Sequence, residues 1–164
     1  MITISIAKTN QDFETIATLA DTIWREHYIP IIGLAQVDYM LEKFQSAAAI
    51  KSQVTNHYMY YLLEYNKKPV GYISIKKEDT ILFLSKIYVL SSCRGKKIGK
   101  TAMNFIEDKA KKFNLKAIRL TVNVDNENSI KAYEALGFIN KRSVVADIGN
   151  GFVMDDYEMV KTII

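Results

Sequence analysis

The chain has 164 residues, 49% hydrophobic and 24% charged, which suits a single domain spanning residues 1–164 with its own core. The net charge of +4 is too mild to demand nucleic acid, and no apolar run reaches the roughly 20 residues of a membrane helix. Cys93 is the only cysteine, which excludes an internal disulfide and fits a reducing cytosol. The first residues, Met1-Ile2-Thr3-Ile4-Ser5-Ile6, alternate like a strand and carry no basic n-region or cleavage site. No signal peptide is read there, and a cytoplasmic protein without membrane partners is expected.

Thr9 or Asn10 caps a helix in which Phe13, Ile16, Ala17, Ala20, Ile23 and Trp24 recur at helical spacing to about Tyr28. Pro30 and Gly33 are expected to break the chain. Val37, Met40, Leu41 and Phe44 mark a second helix over about residues 36–44, and a weaker one is expected over 46–54. Residues 58–65, 69–76 and 81–90 read as three strands joined by short turns, an antiparallel meander. After a loop at residues 91–95, Ile98, Ala102, Phe105, Ile106, Ala110 and Phe113 mark an amphipathic helix, and residues 117–122 form a strand. This crossover predicts a parallel neighbour. Asp125 or Asn126 starts another helix, which Gly137 ends. Residues 138–148 and 152–160 are the last strands, joined by a Gly149-Asn150-Gly151 turn. The class is α+β, with about seven strands in a mostly antiparallel sheet and about four helices.

Positive charge crowds one stretch: Arg94, Lys96, Lys97, Lys100, Lys109, Lys111, Lys112 and Lys116 face only Glu107 and Asp108. The lysines from 109 to 116 read as a solvated helix face. The run Arg94-Gly95-Lys96-Lys97-Ile98-Gly99-Lys100 lies between a strand and a helix, where unpaired N–H groups and the helix dipole favour phosphate oxygens. A P-loop is the rival reading, but Gly95 and Gly99-Lys100-Thr101 are separated by three residues and not four. Cys93 beside Arg94 reads as a small loop residue, since no His or Asn stands in a partner motif. Two histidines and one cysteine make no zinc spacing, so no metal is expected.

A second segment, Asn126-Glu127-Asn128-Ser129-Ile130-Lys131-Ala132-Tyr133-Glu134-Ala135-Leu136-Gly137-Phe138, resembles the signature of the GCN5-related N-acetyltransferase (GNAT) superfamily. That pattern is an Asn, a Tyr seven residues on, and then Gly-Phe. Arg94 and Gly99 match the first and last positions of the family's R/Q-x-x-G-x-G/A loop, and the element order is similar along the whole chain. The resemblance implies acetyl-CoA as co-substrate and transfer to an amine-bearing acceptor. In that reading Arg94, Gly95, Lys96, Lys97, Ile98, Gly99 and Lys100 hold the coenzyme A pyrophosphate, and Ile87, Tyr88 and Val89 pair with the pantetheine arm along a bulged strand. The Val89 N–H polarises the thioester carbonyl, Asn126 bonds the pantetheine or its neighbouring backbone, and Tyr133 protonates the departing thiolate. A tyrosine near pKa 10 stays protonated while a thiolate of conjugate-acid pKa about 8.5 leaves.

Two departures stand out. Lys97 replaces the family's first loop glycine: a positive φ there would strain a lysine, while the nearby helix start leaves an ordinary helical φ open. The stretch Leu84-Ser85-Lys86-Ile87 has no carboxylate where many relatives carry a glutamate base. A water relay through Ser85 or a tyrosine hydroxyl is expected, or a substrate arriving neutral. By resemblance the first two helices and the last hairpin line the acceptor cleft. That nominates Trp24, Tyr28 and Asp147, with His27, Tyr39, Asp155 and Asp156 beside them. The first helices and the loop are similar to bacterial polyamine-acetylating members, and relatives often form homodimers. A coenzyme A-binding module without transfer is the alternative.

Overall fold

The computed structural model describes residues 1–163. Its elements are β1 (Ile2–Ile6), α1 (Asn10–Ile32), α2 (Leu34–Gln45), α3 (Ala47–Thr55), β2 (Met59–Tyr65), β3 (Lys68–Glu78), β4 (Ile81–Val89), a 3-10 turn (Ser91–Cys93), α4 (Ile98–Lys112), β5 (Ala117–Asn123), α5 (Glu127–Ala135), β6 (Ile139–Gly149) and β7 (Phe152–Thr162). The class is mixed α+β. Five α-helices stand where about four were expected. The weak segment after residue 46 is a true helix, capped by Ser46, whose hydroxyl accepts the Ala49 N–H at 3.2 Å.

Hydrogen bonds link the strands in the order β1-β2-β3-β4-β5-β7-β6. The β4–β5 pair is parallel, with Ile81 opposite Ala117 and Phe83 opposite Arg119, as the crossover through α4 requires. β7 lies between β5 and β6 and is antiparallel to both. The chain gathers into two compact units. One comprises Met1–Lys76 and Leu84–Ile106; the other comprises Lys77–Phe83 and the chain from Glu107 onward.

In the first unit, Thr9 is the N-cap of α1. Its hydroxyl accepts the Asp12 N–H at 3.1 Å and its own N–H donates to the Asp12 carboxylate at 3.0 Å, a reciprocal capping box. These backbone bonds, from Lys8 and Thr9, hold the Asp12 carboxyl below the usual carboxylate range. Phe13, Ile16, Leu19, Ala20, Ile23 and Trp24 are its buried face. The helix runs through Pro30 to Ile32 and does not stop near Tyr28. Pro30 falls in the last turn, where it forgoes one helical bond, to the Glu26 carbonyl, and Gly33 (φ 88) closes the helix with its N–H on the Ile29 carbonyl at 2.9 Å.

In the second unit Ile118, Leu120, Val122, Phe138 and Met159 are buried. Arg119 on β5 pairs with Glu78 at 2.8 Å and lies 4.2 Å from the Phe83 ring centroid. The last hairpin turns through Gly149, Asn150 and Gly151 with φ of 94, 55 and 79°, the left-handed conformations that a Gly-Asn-Gly sequence accepts. No helix among the described residues is long and apolar enough to cross a membrane.

Candidate active site

The basic turn begins where β4 ends. Cys93 and Arg94 donate their N–H groups to Leu90 and Ser91, and the Ser91 hydroxyl bonds the Glu26 carboxylate at 2.6 Å, tying the turn to α1. Gly95 has φ 83° and Lys97 has φ 62°. Of the two conformations open to Lys97, the structure has the strained one: this lysine holds the left-handed conformation that suits the glycine it replaces. The α4 ladder starts on its carbonyl, which accepts the Thr101 N–H at 3.0 Å. The first-turn N–H groups of such a helix have no intrahelical carbonyl to bond.

Arg94, Gly95, Lys96, Lys97, Gly99 and Lys100 are exposed, while Ile98 is buried and anchors the turn. The Lys96 ammonium lies 5.7 Å from the Tyr65 ring centroid. The first turn of α4 contains no acidic residue. Cations at a helix N-terminus oppose the dipole, so this end is unfavourable in charge as well as backbone until an anion neutralises it. Lys109, Lys111 and Lys112 sit in the last turn, where the dipole favours them. The geometry thus separates the two halves of the basic stretch. The Thr101 hydroxyl donates to the Lys97 carbonyl at 3.0 Å and serves the helix, not a metal-bound phosphate.

Above the turn, β4 passes close to β3. A Cβ on Gly71 would lie 2.2 Å from the Tyr88 carbonyl oxygen, so only glycine lets the two backbones approach. Leu90 donates to the Val70 carbonyl at 2.8 Å. Four rings converge here. Trp24 is 2% exposed and lies 5.3 Å from Tyr28 and 5.7 Å from Tyr88, and Tyr72 lies 5.6 Å from Tyr88. Trp24 donates its indole N–H to the Tyr72 hydroxyl at 3.0 Å. That hydroxyl donates to Gln45, Gln45 donates to Tyr60, and Tyr60 donates to Gln53. Burial pushes Tyr60 up to about 12 and Tyr72 well above its ordinary value, so both stay neutral structural groups. Nearer solvent, the Tyr28 and Tyr88 hydroxyls meet at 2.8 Å. Ser85 is occupied differently: its hydroxyl accepts the Lys86 ammonium at 3.1 Å.

In the second unit Asn126 is the N-cap of α5. It is 4% exposed, its carbonyl accepts the Ile130 N–H at 3.1 Å, and its side chain makes no capping bond. The other end of α5 explains the Tyr…Gly-Phe spacing physically. Phe138 donates its N–H to the Tyr133 carbonyl and Gly137 donates to Glu134, each at 3.0 Å, with Gly137 at φ 98°. This is a Schellman cap, and its accompanying apolar contact is Phe138 against Tyr133, ring centroids 5.7 Å apart in an edge-to-face arrangement. The cap therefore fixes the half-buried Tyr133 ring. Asp147 is exposed beside the hairpin, and its carboxylate accepts the Gly149 N–H at 2.8 Å. Tyr39 accepts the Lys43 ammonium at 3.0 Å, and Asp156 is buried.

Residues 17–138 match the family model described as acetyltransferase (GNAT) family. The chain belongs to this family. The match runs through both units and both motifs, and it removes the P-loop reading. A probable N-acetyltransferase, camello, of Xenopus laevis is 32% identical over 102 residues, which are 57% of this chain and 46% of that protein. The chain spans less than half the length of the curated relatives it matches. Among solved structures, the PaiA N-acetyltransferase of Thermoplasma acidophilum in complex with coenzyme A superposes with a TM-score of 0.78 at 23% identity, covering 98% of this chain and 99% of that one. A chimera of the Vibrio cholerae spermidine N-acetyltransferase SpeG with hSSAT superposes with a TM-score of 0.70 at 20% identity, covering 99% of this chain and 95% of that one. These likenesses show that the GNAT fold is shared.

The sequence motifs missed the Tyr88 side chain, Glu26, Gly71 and the Gln45 network. None belongs to a motif. Gly71 and Gln45 carry no periodic signal, and Tyr88 reads as one more apolar strand residue.

Proposed function

We propose that the chain is an N-acetyltransferase, a single domain that moves the acetyl group of acetyl-CoA to a primary amine by direct attack. The turn at residues 94–100 carries the reading. It combines two left-handed residues, four exposed cations and a helix N-terminus with no acid in its first turn, an arrangement that favours a bound anion. Coenzyme A offers such an anion in its pyrophosphate, and the Thermoplasma relative of the same fold binds coenzyme A.

In this reading backbone N–H groups from Arg94, Gly95, Lys96, Lys97, Ile98, Gly99 and Lys100 hold the pyrophosphate. Ile87, Tyr88 and Val89 pair with the pantetheine arm, and the Val89 N–H stabilises the oxyanion. Asn126, with no side-chain cap bond of its own, bonds the pantetheine or the backbone beside it. Tyr133 gives its proton to the thiolate. Among the described residues no group of acids, histidines and cysteine could hold a metal ion, and none is invoked. The acceptor class is a polyamine or another small cationic amine, supported by the likeness to the Vibrio spermidine enzyme. The lone cysteine supports a cytoplasmic setting. A coenzyme A-binding module without transfer is the second reading, favoured by the absence of a carboxylate on β4.

The test is thiol release from acetyl-CoA with a panel of polyamines, peptides and aminoglycosides, together with calorimetric titration of coenzyme A. Turnover with a polyamine is expected. Tight coenzyme A binding without transfer to any amine selects the module, and no binding at all discards both readings.

A further inference from the structure

We infer that the Tyr28–Tyr88 hydroxyl pair is the proton acceptor for the incoming ammonium group. This rests on the acetyltransferase reading above and supplies the base that reading lacks.

Four observations converge on the pair. β4, Ile81–Val89, contains no carboxylate or histidine. Ser85, its one aliphatic hydroxyl, accepts the Lys86 ammonium at 3.1 Å, and a hydroxyl facing a cation is a poor station for a second positive charge. Tyr88 is the remaining neutral oxygen donor on the strand, directly before Val89, the proposed oxyanion donor. Its hydroxyl lies 2.8 Å from that of Tyr28 on α1. Both residues are half-buried, unlike Tyr72 and Trp24 behind them, which are sealed and bonded to each other. A hydroxyl accepts and donates at once, so two in contact can take a proton on one oxygen and release one from the other.

The step balances as follows. An N–H bond of R–NH3+ breaks and an O–H bond forms on one tyrosine oxygen, while the pair releases a proton to water. The neutral nitrogen attacks the acetyl carbon, the C–N bond forms and the C–S bond breaks. The thiolate takes the proton of the acid in the reading above, which water reprotonates, and the second ammonium proton, lost as the amide forms, passes to water. The products are R–NH–acetyl, coenzyme A thiol and one proton in solvent.

The titratable neighbours are His27 on α1, with its ring 4.7 Å from that of Tyr28, Tyr72 on β3, which burial keeps neutral, and Glu26, bonded to Ser91. The test is the pH profile of kcat/KM with the best amine of the panel for wild type, Tyr28→Phe, Tyr88→Phe and His27→Gln. Both Phe variants are expected to lose roughly 100-fold at pH 7, with the deficit closing near the amine pKa of about 10, where substrate arrives neutral. Tyr28→Phe keeps wild-type coenzyme A affinity by calorimetry, and His27→Gln, whatever its effect on KM, leaves the acid limb of the profile at its wild-type pH. A deficit equal at all pH values is a packing effect and overturns the inference. So does an unchanged rate in the Phe variants, or transfer of the acid limb to His27. Wild-type protein that transfers to no amine removes the acetyltransferase reading itself, which separates the two failures.

Discussion

Helices α4 and α5 each follow one strand of the parallel pair and both close on a left-handed residue, Asn114 and Gly137, but among the described residues only α4 also opens after left-handed residues. α4 opens after Gly95 and Lys97, and α5 closes on Gly137. At α4 the turn leaves first-turn N–H groups and four cations at the surface. At α5 it folds the chain back so that Phe138 lies against Tyr133. One device leaves helix donors and cations at the surface; the other packs a ring. The residue choice differs accordingly. Gly137 adopts φ 98° without a Cβ penalty, whereas Lys97 holds φ 62° with a side chain, at a cost of about 1–2 kcal/mol.

Three substitutions probe this contrast, in descending order of effect. Tyr133→Phe keeps the ring on Phe138 and removes the proton. Turnover is expected to fall by about 100-fold or more, with an unchanged melting temperature. Wild-type turnover would reduce α5 to a purely structural helix. Gly137→Ala forces a Cβ into φ 98° and is expected to destabilise by about 1–2 kcal/mol in urea unfolding. Turnover should fall several-fold as the Tyr133 ring loosens, with coenzyme A affinity retained. If stability drops and turnover does not, the cap does not position the ring. Lys97→Gly is the smallest change and has the opposite sign: a gain of about 0.5–1 kcal/mol without ligand, and a two- to fivefold loss of coenzyme A affinity at low salt. That loss should shrink at 1 M salt, where the Debye length is about 3 Å. Unchanged affinity at low salt would make the Lys97 strain unconnected to the anion.

Chain periodicity revealed every strand and the helix order, because burial on one face imposes period 2 or 3.6 on the side chains. The Gly137 cap and the Gly-Asn-Gly turn were equally legible, since left-handed backbone selects its residue types locally. Other features were not. Proline as a breaker predicts that α1 ends near Tyr28, but the chain forgoes the one bond Pro30 cannot make and the helix reaches Ile32. At Lys97 local preference left both a helical and a strained positive φ open, and only the structure shows which it takes, φ 62°.

The sequence by itself determined the family, the two motifs and the order of elements, all carried by short-range spacing. Only the tertiary structure decided that β7 lies between β5 and β6, and that Gly71 admits the Tyr88 backbone. It also decided that Tyr28 meets Tyr88 across 60 residues of chain. Such contacts depend on which distant segments share space, and no local periodicity encodes them.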